Sequence, residues 1–266
     1  MTGPGILEVE PRRRRRRPAR GAFNWPGLAV LVALVVIWQL LADLGVVHND
    51  YLPSPVQIGH GLVELADRGE LASSVAHTVS VVVGALLIAA VVGIGAGVVS
   101  GLSARLWTWS GATIDILRSL PAIALVPLAL MIFGLSGTAE MVVAAFAATW
   151  PILLNTAGGV RQIHPLLYDV GRTLSLSRWA VFVKIALLGA TPAIVAGLRI
   201  GMTVSLLVTV TTEMVGNPAG IGYGLVRAQN AIQPAWMYAY VAVVLVIGLI
   251  LNAMLLSLSR PIRARP

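Results

Sequence analysis

Six long apolar runs, parted by shorter polar intervals, make up most of the chain. They fall at about residues 26–44, 78–101, 112–134, 138–158, 191–213 and 236–259. Each approaches the roughly 20 mainly apolar residues that a helix needs to cross a bilayer core. The pattern therefore predicts an all-α integral membrane protein with about six transmembrane helices. In the second run Ala89, Gly93, Gly97 and Gly101 recur every four residues. Small residues at that spacing let helix backbones approach closely, either within one chain or between two. The third run contains Pro121 and Pro127, each of which removes a backbone hydrogen bond and predicts a kink.

The polar interval 161–190 stands out. It carries Arg161, Arg172, Arg178 and Lys184 against one carboxylate, Asp169. His164-Pro165 marks a helix start, since proline is tolerated at the first helical position. Leu166, Val170 and Thr173 follow at helical spacing. Ser175-Leu176-Ser177 then interrupts, because serine hydroxyls compete for backbone hydrogen bonds. A second helix is expected to gather Trp179, Phe182, Val183 and Ala186 on one face. The interval is thus a helix–turn–helix elbow between two spans. The interval 43–77 holds an amphipathic stretch at 56–71, and 214–235, rich in glycine and proline, is expected to be a loop.

Charge adds direction to this picture. Only 11% of the 266 residues are charged, against about 25% in soluble domains, which again points to a membrane. A net charge of +8 has no solvated groove to sit in, so nucleic acid is not an expected partner. The cations act instead as topology signals and contacts for anionic lipid. With the N-terminus in the cytosol, the inner segments hold fifteen lysines and arginines, and the outer segments hold two, Arg68 and Arg227. That asymmetry places both termini and the elbow inside, in a multi-pass membrane protein. Residues 1–24, with their arginine run, are expected to form a disordered basic tail. No A-x-A cleavage site follows the first run, so it is expected to remain as a helix. A single transmembrane domain over 25–260 and a short basic tail at 261–266 complete the division.

Catalytic chemistry is sparse. There is no cysteine and no G-x-x-x-x-G-K-[ST] phosphate loop, and the four histidines are scattered. Disulfides, thiolate chemistry and ATP binding by that loop are excluded, and metal catalysis is not expected. Gly134-Leu135-Ser136-Gly137 matches the G-x-S-G of rhomboid-like intramembrane serine proteases, but the last run lacks the histidine that family uses as base. A tight turn is the simpler reading. The in-span groups read first as interfacial, snorkelling or capping residues, and second as candidates for a path through the membrane. Arg118, three residues from Asp115, and Pro121 lie in the third run, and Arg199 and Glu213 bracket the fifth.

The elbow resembles the permease subunits of bacterial ABC importers, in the branch of sulfonate, taurine and nitrate systems. Their cytosolic motif runs Glu-Ala-Ala, then Arg-Ser/Thr-Leu-Gly-Ala-Ser, then tryptophan. Here it reads Asp169-Val170-Gly171, Arg172-Thr173-Leu174-Ser175-Leu176-Ser177, then Trp179. Serine replaces the usual glycine at Ser175, and Leu188 stands where proline is usual. Leu52-Pro53-Ser54-Pro55, Leu117-Arg118-Ser119-Leu120-Pro121, Trp150-Pro151-Ile152-Leu153-Leu154-Asn155-Thr156, Gly197-Leu198-Arg199, Glu213-Met214-Val215-Gly216 and Gly220-Ile221-Gly222-Tyr223 follow in family order. The resemblance covers roughly 28–260. It implies a type I importer fold in which residues 169–177 form a coupling helix against an ATPase. It also implies a second permease copy in a homodimer, two cytosolic ATPase subunits that carry the ATP and magnesium, and an extracytoplasmic solute-binding protein. A small anion such as a sulfonate, taurine, nitrate or bicarbonate would be the cargo, and no cofactor or catalysis belongs to this chain. An ATP-independent secondary transporter is the other reading.

Overall fold

The computed structural model describes residues 25–45 and 51–263, with the side chains of the last helix described to residue 257. The basic tail expected over 1–24 lies outside the described residues, as do 264–266. Helix α1 (Trp25–Asp43) belongs to a unit of its own. It is apolar on every face and carries no buried residue, as expected of a helix whose surroundings are lipid or another helix.

The second unit begins with α2 (Pro55–Asp67), a short amphipathic helix. Ser54 caps it, the Ser54 hydroxyl accepting from the Gln57 amide while the Gln57 side chain accepts from the Ser54 amide. Next come α3 (Glu70–Leu102) and α4 (Ala104–Ser119). A 3-10 turn (Ala122–Leu125) leads into α5 (Val126–Phe133). Then follow α6 (Gly137–Arg161), α7 (Pro165–Thr173) and α8 (Arg178–Val181). A π-helical segment (Phe182–Leu187) joins α8 to α9 (Thr191–Gly216). The chain ends with α10 (Gly220–Asn230) and α11 (Pro234–Arg263). Among the described residues five helices are long and apolar enough to cross a membrane, or six if the bent pair α4–α5 counts as one. The all-α membrane architecture is as the hydrophobic pattern predicts.

Three differences from the pattern have physical causes. The third run is broken more sharply than kinked: α4 and the segment after it meet at 76°. Pro121 sits at the break, and Pro127 does no bending because it occupies the first turn of α5. Helix α3 starts well before 78, because Leu71, Val75 and Val79 pack against a core of Leu65, Val82, Ile221 and Tyr240. The expected loop 214–235 is largely helical, since the glycines of α10 allow close packing on α9 and α11 rather than a flexible turn.

The small-residue stripe of α3 packs within the chain. A β-carbon at Gly93 would stand 2.9 Å from the Ile152 β-carbon, and one at Gly101 2.8 Å from that of Val160. Helices α3, α6 and α9 form the centre of the unit, with Ala89, Ala148 and Ile152 buried between them. At one end Val98, Val160, Ala186, Ala190 and Ile194 make a further core, which locks the π-helical segment onto α3 and α6.

Candidate functional site

The elbow has a packed base and an exposed outer face. His164 caps α7, its Nδ1 accepting from the Leu166 amide at 3.3 Å. The helix ends in a Schellman turn: the Ser175 amide donates to the Arg172 carbonyl at 2.9 Å and the Leu176 amide to the Gly171 carbonyl at 3.0 Å. Ser175 takes a φ of +51° there. The glycine usual in the resembled motif avoids that left-handed strain; the serine accepts it and the turn still closes. Ser177 then caps α8, its hydroxyl accepting from the Ala180 amide at 3.2 Å.

The base of the elbow is held by close contacts. A β-carbon at Gly171 would meet Ile185 Cδ1 at 2.8 Å, and one at Gly189 would meet Ile163 Cδ1 at 2.7 Å. Arg161 lies over the Trp107 ring at 4.9 Å, tying the end of α6 to α4. Burial raises the Tyr168 phenol above its ordinary range. The outer face is different. Leu166, Leu167, Val170, Leu174 and Trp179 are all exposed, Trp179 only stacking on Phe182 at 5.3 Å. Asp169 accepts from Arg172 at 3.0 Å in an exposed pair, which adds little stability. The residues of 169–177 thus lie together on one projecting turn, with Thr173 donating to the Asp169 carbonyl at 3.0 Å.

The four residues singled out for a solute path fall in three places. Arg118 and Pro121 line one groove of about 400 Å³, beside Trp150, Pro151 and Val204. Arg118 donates to Asp115 at 2.9 Å, as their spacing predicts. Arg199 lines a separate groove of about 660 Å³ between α9 and α11. Its Nε donates to Asn252 Oδ1 at 3.1 Å, and it is the single ionisable side chain in that lining. Glu213 lies apart from both grooves and is fully buried.

Glu213 belongs to a polar cluster that the sequence reading missed. Its Oε1 accepts from the Thr78 hydroxyl at 2.7 Å and its Oε2 from the Gly222 amide at 2.8 Å. The Thr78 hydroxyl in turn accepts from the Ile221 amide at 3.0 Å. Gly220 has a φ of +89°, and a β-carbon there would collide with the Glu213 carboxylate. Nearby, Glu140 is also fully buried, with His77 Nε2 at 3.0 Å from its Oε2 and the Asn217 amide on its Oε1. Long sequence separations hid this group: residue 77 on α3, 140 on α6 and 213 on α9 share no local motif. The usable signal was an ionisable residue near the end of each of three apolar runs.

Ser136 precedes α6, and its hydroxyl donates to the Phe133 carbonyl at 2.9 Å. Among the described residues it is a turn residue whose hydroxyl makes no hydrogen bond to a histidine, the nearby His77 pairing with Glu140.

A helical membrane unit with a locked, projecting elbow and two apolar grooves each bearing an arginine defines a membrane-embedded transport subunit. The chain belongs to the family of binding-protein-dependent transport system inner membrane components, whose match spans residues 89–264. It is an ABC importer permease of the sulfonate and nitrate branch. It is 32% identical over 263 residues to the nitrate import permease protein NrtB of Leptolyngbya laminosa, with 92% of each chain covered. It is 32% identical over 239 residues to the bicarbonate transport system permease protein CmpB of Synechococcus elongatus, covering 82% of this chain and 84% of that one. The taurine transport system permease protein TauC of Escherichia coli is 26% identical over 250 residues, with 90% and 91% covered. An inward facing structure of the MetNI methionine ABC transporter matches the fold with a TM-score of 0.65 at 18% identity, over 72% of this chain and 95% of that one.

Proposed function

We propose that this permease carries a small anion and that its elbow, residues 169–177 above all, takes the thrust of a separate ATPase. The observation that carries this reading is the contrast between the two sides of the elbow. Its base, with Phe182, Ala186 and Ala190, is fixed to α3 and α6; its outer face exposes Leu166, Leu167, Val170 and Leu174, and the exposed Asp169–Arg172 pair lines a cleft of about 520 Å³ beside Gly101, Val160 and Arg161. A partner seated on such a face moves the whole segment, because a packed base transmits displacement instead of absorbing it. ATP and magnesium are then the business of two cytosolic ATPase subunits. A second permease copy completes the path, and an extracytoplasmic binding protein delivers the solute.

Relatives named for nitrate, bicarbonate and taurine support an anionic cargo. So do Arg118 and Arg199, each the sole cation among the described residues that line its groove. The distribution of lysine and arginine supports cytosolic termini, a cytosolic elbow and contacts with anionic lipid in the cytoplasmic membrane.

The test is reconstitution with the partner ATPase and binding protein in vesicles. Asp169→Lys is expected to insert normally, to lose ATP-driven uptake, and to weaken capture of the ATPase. Uptake at the wild-type rate would remove the elbow from the mechanism. Uptake without any ATPase would favour the secondary-transporter reading.

A further inference from the structure

We propose that His77, Glu140 and Glu213 form a binding site for a divalent transition-metal cation of the zinc type, at the end of the bundle away from the elbow. The site uses none of the elbow or groove residues, and takes up Glu213, which was singled out for the solute path but lies apart from both grooves.

The first argument is charge. Glu140 and Glu213 are both fully buried, on α6 and α9. Among the described residues, the ion pairs give neither carboxylate an arginine or lysine; His77 is the only basic partner at hand. Two carboxylates side by side in an apolar interior call for protons or a cation to offset their charge. A neutral imidazole supplies none, and a protonated one offsets half. A divalent cation offsets both carboxylates and binds the imidazole in its neutral form.

The second argument is the donor set. One donor atom from each of the three side chains lies within 4.8 Å of the others. Zinc binds both imidazole nitrogen and carboxylate oxygen, and three protein ligands leave its fourth position open. Magnesium and calcium prefer all-oxygen shells. A tetrahedron with bonds of about 2.0–2.2 Å has edges of roughly 3.4 Å, so the donors must draw inward on loading. His77 is suited to that movement, since its side chain is 25% exposed and faces the small Gly137.

The third argument is the support around the donors. The Thr78 hydroxyl and Gly222 amide orient the Glu213 carboxylate, and the Asn217 amide orients that of Glu140. A carboxylate has about four lone-pair positions, so these bonds leave room for a metal. Hydrogen bonds of this kind on the carboxylates are what fixes ligand direction in built metal sites. A cation here would join α3, α6 and α9 at one point.

The full chain, purified without a histidine tag and stripped with EDTA, provides the test. After loading with ZnCl2 and desalting, elemental analysis is expected to find one zinc per chain, with a higher unfolding temperature than the stripped protein. Co2+ in place of zinc is expected to give the visible bands of a four-coordinate, imidazole-ligated ion. His77→Ala and Glu140→Gln are each expected to lose the metal on desalting. Thr78→Ala is expected to keep the ligands and weaken binding about 10–100-fold. A folded wild-type chain that retains no zinc and gives no Co2+ bands overturns the proposal and leaves protons to neutralise the cluster. Equal retention by wild type, His77→Ala and Glu140→Gln also overturns it, because the metal then sits elsewhere. If those two variants do not fold, the wild-type Co2+ spectrum decides.

Discussion

Gly97→Ala tests whether the contact between α3 and α6 sets stability. A β-carbon at 97 would stand 2.6 Å from Thr156 Cβ and 2.8 Å from the Leu153 carbonyl oxygen. Carbon atoms rest about 3.5–4.0 Å apart, so the misfit is on the order of 1 Å. Neither neighbour can rotate aside, since one is a β-carbon and the other is backbone. The helices must part, and Gly93 and Gly101 fit as tightly one turn away on either side. Overpacking of this kind costs about 1–3 kcal/mol, and a contact with backbone belongs at the upper end. Alanine returns up to about 1 kcal/mol of helix propensity. A net loss of about 2 kcal/mol remains, or roughly 4–8 °C in unfolding temperature for a chain of this size. Gly95→Ala is the matched control, because a β-carbon there meets nothing within 4 Å. It is expected to be neutral or up to about 1 kcal/mol stabilising. Thermal unfolding of the detergent-purified protein, followed by tryptophan fluorescence, measures both. If Gly97→Ala unfolds at or above the wild-type temperature, or if the two variants shift together, the packing argument is wrong.

Ser175→Gly relieves a left-handed residue and is expected to stabilise the elbow by about 1 kcal/mol, seen as slower hydrogen exchange at the amides of 174–176. Arg118→Gln and Arg199→Gln are each expected to cut anion uptake by about 10–100-fold, the scale of one lost charged hydrogen bond, with membrane insertion unchanged. Full uptake in both variants would detach the grooves from the path. The Glu64 carboxyl is held below its ordinary range, first by the Trp236 indole N–H at 2.9 Å and then by Arg68. A lowered folded-state value makes this contribution present above the ordinary carboxylate range and lost as pH falls through the lowered value. Trp236→Phe is expected to move the Glu64 titration upward, as followed by carboxyl carbon NMR; an unmoved titration would remove the indole as its main cause.

Local signals in the sequence were reliable where one segment decides its own shape. His164-Pro165 starts α7, Ser177 caps α8, and Asp115 pairs with Arg118, because each is settled within four residues. The ambiguity of the α3 stripe was not local. Its glycines serve packing within the chain because α6 presents Ile152, Thr156 and Val160 to them, and no spacing rule states which helix that is. The fate of the two prolines likewise depended on position in the turn: Pro121 precedes the 3-10 segment and breaks the run, while Pro127 begins a helix. Trp179 shares a face with Phe182, as expected, and stacks on its ring, but it is exposed. Arg199 was legible as a residue in need of a polar neighbour, but Asn252, fifty-three positions on, was not. The cluster of His77, Glu140 and Glu213 required three helices to be in place before it existed.

The break between α4 and α5 has a consequence for water. Helix ends leave carbonyls that no later turn can satisfy, and hydrocarbon offers them nothing in return. Irregular backbone at membrane depth persists only beside protein or hydration. Leu120 and Pro121 hold such backbone, and they face the groove that Arg118 also lines. A groove lined by such backbone suits hydration, and on the proposed solute path a cargo would meet peptide dipoles there.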